Sequence, residues 1–194
     1  LLLCNQAIHL HHIYQQEKTR YQNTRNNNLK NTLYVFHMKA ANKDDICSFN
    51  ANTLELKFLI NKNFFAYKLD PQKDIQTITR QADYDIRDPK RWTLENFANY
   101  FKENHDLTQT WTASLQFVLT DSTGNIKDSY PRSVNKIPAT PEYIDTLGFL
   151  TRDILYATYD YPLAAFVQTA AWPIATTLFI SLLLAFCVIY LYLN

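Results

Sequence analysis

Between Tyr161 and Leu193 the chain has no Asp, Glu, Lys or Arg, and from Ile174 to Leu193 (IATTLFISLLLAFCVIYLYL) nothing is more polar than Thr, Ser, Cys or Tyr. A run of this length, at a rise of about 1.5 Å per residue, reaches about 30 Å, the thickness of a bilayer's hydrocarbon core. A helix apolar on every face would have to bury all of them to live inside a small soluble domain, so the expected element is a single transmembrane helix over 161–194. Tyr161 and Trp172 at one end, with Tyr190 and Tyr192 at the other, match the aromatic belts that settle at headgroup level. Pro173 marks a helix entry or a kink, and Ala164, Ala165, Ala170 and Ala171 favour close packing on a partner helix.

Orientation is weakly encoded. From Glu142 to Tyr161 there is one base, Arg152, against Glu142, Asp145, Asp153 and Asp160, which leaves the positive-inside rule little to count. Only Asn194 follows the span, so the soluble mass is expected on its N-terminal side.

Residues 1–30 read as a basic N-terminal arm. Leu3, Ala7, Leu10 and Tyr14 share one side of a short amphipathic helix, and the Asn-rich run after residue 20 reads as flexible by composition. Through residue 43, Lys18, Arg20, Arg25, Lys30, Lys39 and Lys43 face only Glu17, whereas residues 44–160 hold 13 bases and 17 acids. The near-neutral total of +1 thus conceals a basic arm on an acidic body. Such an arm suits anionic lipid headgroups or an acidic partner surface. The chain begins at Leu1 without a Met, which suggests a trimmed leading segment.

Residues 31–135 read as a small α+β domain with an antiparallel sheet of four to six strands and one or two helices. Thr32 to Met38 has strand composition. Leu54 to Ile60 alternates Leu54, Leu56, Phe58 and Ile60 against Glu55, Lys57 and Leu59, and the turn Asn61-Lys62-Asn63 leads into Phe64 to Leu69, a hairpin. A second hairpin pairs Ala113 to Thr120 with Ile126 to Tyr130, with Gly124 supplying a left-handed turn position. Between them Asp88-Pro89 suits an N-cap and first turn, and Leu94, Phe97, Ala98 and Phe101 keep helical spacing. Residues 136–160 read as a linker and an amphipathic interfacial helix: Thr140-Pro141-Glu142 is a helix start, followed by Tyr143, Leu147, Leu150, Ile154 and Ala157 at steps of three and four.

The sequence excludes more chemistry than it suggests. Two glycines, Gly124 and Gly148, are too few for a P-loop or a dinucleotide fingerprint, which need glycine for close backbone approach to phosphate. Cys4, Cys47 and Cys187 lie far apart and make no metal knuckle, though an oxidising compartment would allow a Cys4–Cys47 disulfide. Cys4, His9, His11 and His12 are the one dense group of ligand-type side chains, and imidazole suits Zn or Cu; as docking-helix histidines they need no metal. Asp83, Asp85 and Asp88 fail the calcium-loop pattern, with Asp88 where Gly is required and Leu94 where Glu is required. With Arg80, Arg87, Lys90 and Arg91 around them, they read as a local ion-pair network. No G-x-S-x-G or H-E-x-x-H occurs, so neither catalytic residues nor a cofactor is expected. Nucleic acid is disfavoured, since the aromatics follow core patterns.

These readings converge on a non-catalytic subunit of a large membrane complex, with other subunits and the bilayer as its partners. A mitochondrial inner membrane setting, in the respiratory chain or ATP synthase, fits the Tyr-, Phe- and Asn-rich composition without N-x-S/T sequons. The alternative is a tail-anchored or envelope-anchored protein whose soluble domain recruits a partner, and a membrane-bound enzyme or metal carrier using His9, His11 and His12 is the third reading.

Overall fold

The computed structural model describes residues 2–42, 44–60, 62–69, 75–105, 115–161 and 163–193. Among the described residues the fold is α+β, with two antiparallel sheets and four helices, the C-terminal one apolar. The chain divides into two compact units: Leu1–Arg25 together with Tyr161–Asn194, and Asn26–Asp160.

The first unit is helical. Helix α1 runs Leu2–Ala40 and α4 runs Leu163–Leu193. The ring of Tyr14 meets Tyr161 and Phe166 at centroid distances of 5.6 and 5.2 Å, and Tyr21 meets Tyr161 at 5.1 Å. Within α4, Ile174–Leu193 is long and apolar enough to cross a membrane, and none of it is buried by the rest of the chain.

Helix α1 corrects the expectation of a short helix, a flexible arm and a strand at Thr32–Met38. Its second half buries Leu29, Leu33, Phe36 and Ala40, at steps of four, three and four, while Val35 stays exposed. A strand would have put Leu33, Val35 and His37 on one face; a helical stripe instead buries Leu33, Phe36 and His37 together. The aromatic and branched residues of this segment bias it toward strand only modestly, and tertiary burial overrides that bias. The Asn-rich run is also used: the Asn26 amide donates to the Glu142 carbonyl (3.1 Å) and accepts from the Tyr159 hydroxyl (2.7 Å).

In the second unit, strands β1 (Ile46–Asn50), β2 (Glu55–Ile60) and β3 (Asn63–Lys68) form one antiparallel sheet in chain order. The expected β2–β3 hairpin is present, with Leu59 opposite Phe64 and Ile60 opposite Asn63; β1 had no clear sequence signal. Leu56 and Phe58 bury against Ile78, Ala82 and Ile86, on and just beyond helix α2 (Ile75–Asp85), which the sequence did not announce. Strand β3 is exposed along its whole length.

The second sheet has the order β5-β4-β7-β6, built from β4 (Gln116–Thr120), β5 (Ile126–Tyr130), β6 (Tyr143–Leu147) and β7 (Asp153–Thr158). The expected β4–β5 hairpin turns through Gly124 at φ +89°. Helix α3 (Leu94–Asn104) buries Leu94, Phe97, Ala98 and Phe101 as their spacing requires. Phe97 bridges Phe36 of α1 (5.6 Å) and Phe117 of β4 (5.2 Å). The helix starts later than expected. Thr93 is the N-cap, accepting from the Asn96 amide, while the Asp88 carbonyl accepts from the Arg91 and Trp92 amides in a preceding turn.

The interfacial helix expected within 136–160 is not there. That stretch contributes β6 and β7, antiparallel with Ile144 opposite Tyr156 and Leu147 opposite Asp153. Along β7, Asp153, Leu155 and Ala157 are buried and alternate with half-buried Ile154, Tyr156 and Thr158, a period of two that coincides with helical spacing at only some positions. Gly148 at φ +79° and Arg152 at φ +51° turn the chain between the strands. The body therefore continues through 160, and the piece taken for a linker supplies half of a sheet.

Candidate functional site

Asp153 enters at the start of β7 with its side chain only 2% exposed. Three groups compensate the buried carboxylate. The Tyr84 hydroxyl donates to it at 2.8 Å, Lys127 Nζ lies 2.7 and 3.0 Å from its two oxygens, and Arg87 stands 3.6 Å away. The Arg87 guanidinium also covers the face of the Tyr84 ring at 3.6 Å, and Trp92 meets the same ring edge-on at 4.8 Å. Burial holds the Tyr84 phenol well above its usual range; Arg87 opposes this and Asp153 adds to it. The phenol thus remains a donor at neutral pH, and the group is a satisfied structural network.

Asp85, at the C-terminal end of α2, clasps the β6–β7 turn. Its Oδ2 accepts from the Phe149 and Leu150 amides at 2.6 and 2.7 Å, and its Oδ1 from the amide and hydroxyl of Thr151 at 3.2 and 3.1 Å. Burial raises its pKa while these four donors pull the other way. Asp88 accepts from the Lys90 amide and pairs with Arg91 at 3.4 Å. Asp83 is half-buried, which raises its pKa. The acidic run is therefore split among a turn clasp, a local pair and the sheet side, and Arg87 leaves it for Asp153.

A cleft of about 70 Å³ opens between α1, α2 and the β6 edge, lined by Lys30, Tyr34, His37, Arg80, Gln81 and Asp145 among others. His37 is its buried polar member, 3% exposed; its ring N–H is turned to the Arg80 backbone, and the other ring nitrogen has no hydrogen-bond partner. Burial lowers its pKa to about 3; the Arg80 backbone opposes this and the Arg87 charge reinforces it. The ring is consequently neutral at pH 7, packed against Tyr84 at 5.2 Å and Trp92 at 5.7 Å. Gln81 spans the cleft side, donating to the Thr146 carbonyl at 3.1 Å, and Arg80 lies over the Tyr34 ring at 5.2 Å. The lone signal for this cleft in the sequence is His37 itself, whose strand-like context concealed which face it shares.

His9, His11 and His12 all lie exposed on α1, and His12 pairs with Gln16 at 3.0 Å. Among the described residues no group of three or more His, Cys, Asp or Glu side chains gathers as a metal site. The Cys4 side chain lies outside the described residues. Cys47 is a free, half-buried thiol whose pKa rises to about 11, chiefly through burial and further through Asp83 and Asp85; at neutral pH it is a poor nucleophile. Comparison of the chain with protein-family models, curated proteins and solved structures finds no match.

Proposed function

We propose that this chain is a non-catalytic accessory subunit of a large membrane protein complex, held by α4 and presenting its α+β unit to neighbouring subunits. The observation that carries this reading is the span itself. Ile174–Leu193 has mean hydropathy 2.5 and no buried part, so most of its surface is open to lipid and to other helices. The buried networks support a structural role, because Asp153, Tyr84 and Asp85 have their partners inside the protein. A bioenergetic assembly of the mitochondrial inner membrane, respiratory chain or ATP synthase, is the setting we favour, on a composition rich in Tyr, Phe and Asn and free of sequons. Native electrophoresis after mild detergent extraction tests it. A large complex containing the chain is expected, and a solitary monomer would refute the subunit reading.

One observation favours a second reading, a membrane-anchored protein that recruits a partner. Strand β3 is a sheet edge carrying exposed Phe64, Phe65 and Tyr67, the kind of edge to which a partner adds a strand. Photo-crosslinking from position 64 separates the two: stoichiometric neighbours that co-migrate with the assembly support the first, and one soluble, exchangeable protein supports the second.

A further inference from the structure

We infer that the cleft between α1, α2 and the β6 edge binds a phosphate group. Lys30 and Arg80 line it from two different helices, and neither forms an ion pair among the described residues. Asp145 is the only acid in the lining and already accepts a hydrogen bond from the Tyr143 hydroxyl at 2.8 Å. With His37 neutral, two cations against one acid leave the lining with an excess of one positive charge.

His37 decides the class of anion. A neutral imidazole presents one N–H donor and one bare acceptor nitrogen; here the N–H is turned to the Arg80 backbone, which leaves a buried acceptor nitrogen without a partner. A carboxylate offers only acceptors at neutral pH. Phosphate near its second ionisation carries both O⁻ and O–H, so its O–H can donate to that acceptor nitrogen while its charged oxygens go to Lys30 and Arg80. A phosphodiester headgroup with a neighbouring glycerol hydroxyl offers the same pair. The volume of about 70 Å³ is several times what one water needs, room for a compact anion. The site adds a ligand to the proposed subunit and does not depend on what that subunit assembles with.

The experiment uses the full chain in a neutral detergent, labelled with ¹⁵N-histidine and titrated with sodium phosphate at constant ionic strength. His37→Gln assigns the His37 signals by their disappearance. A saturable shift of those signals, weakened at least tenfold in both Arg80→Gln and Lys30→Gln and unchanged in the exposed control Lys136→Gln, is expected if free phosphate is the ligand. If inorganic phosphate is silent, short-chain phosphatidylglycerol that shifts the same signals at a tenth of the concentration needed with phosphatidylcholine makes a lipid headgroup the source. Arg80 and Lys30 lie on separate helices, so a folding defect in one variant leaves the other to report. Silence with both probes, or a shift that neither variant weakens, overturns the assignment.

Discussion

Replacing Gly148 with Ala has opposite consequences in a helix and in the β6–β7 turn. In a helix interior, as the three- and four-residue spacing of this segment suggests, Gly→Ala stabilises by about 1 kcal/mol. In the structure Gly148 sits at φ +79°, and a Cβ there would meet Thr151 Oγ1, stand 2.6 Å from Asp85 Oδ1 and 3.0 Å from Tyr84 Cδ1. The left-handed backbone alone costs about 1–2 kcal/mol for an L-residue. Asp85 has little room to yield, because its other oxygen holds the Phe149 and Leu150 amides, and losing one hydrogen bond to a charged acceptor adds about 1.5–3 kcal/mol. The expected destabilisation is about 3–5 kcal/mol. Gly124→Ala supplies the control: φ is +89° but the space around the new Cβ is open, so only the backbone cost of about 1–2 kcal/mol applies. Urea unfolding of both variants in neutral detergent, followed by tryptophan emission with Trp92 buried, reads the difference. Equal losses in the two variants would refute the clasp at Asp85, and a gain at Gly148 would restore the helix.

Further predictions concern burial and charge. His37 has a folded pKa of about 3 against an ordinary 6.5, so the unfolded chain binds the extra proton between these values; stability is full above pH 6.5 and falls toward pH 3, by up to about 1.4 kcal/mol per pH unit. His37→Leu should flatten the dependence of the urea midpoint on pH between 6.5 and 4, and an unchanged slope would show that another group causes it. Asp153→Ala should cost about 3–5 kcal/mol by leaving buried partners uncompensated, whereas Lys127→Ala, with a side chain 42% exposed, should cost under about 1 kcal/mol; comparable losses in denaturant titration would contradict that division. Leu183→Arg at the middle of the span should disfavour insertion by about 2.5–3.5 kcal/mol and release the protein into the soluble fraction on alkaline extraction, unlike Leu183→Ile.

Local pattern was enough for part of the architecture. The charge-free run marked an apolar helix, since twenty such residues suit one helical span and a lone strand leaves its backbone groups unpaired in lipid. The alternation around Leu56 and Phe58 and the turn at Gly124 fixed two hairpins, and the stripe Leu94, Phe97, Ala98 and Phe101 fixed α3, although Thr93 displaced Asp88 as its cap. Segments whose pattern satisfies two periods were settled by packing between distant parts of the chain. In Thr32–Met38 a face that meets Phe97 and Trp92 makes helix the lower-energy choice. In 143–158 pairing of β7 with β4 and closure of the turn by Asp85, 64 residues from Phe149, make strand the lower-energy choice. The cleft between α1, α2 and the β6 edge was invisible for the same reason: Lys30, His37, Arg80 and Asp145 line one space only after two helices and a sheet edge have packed, and no spacing along the chain encodes that.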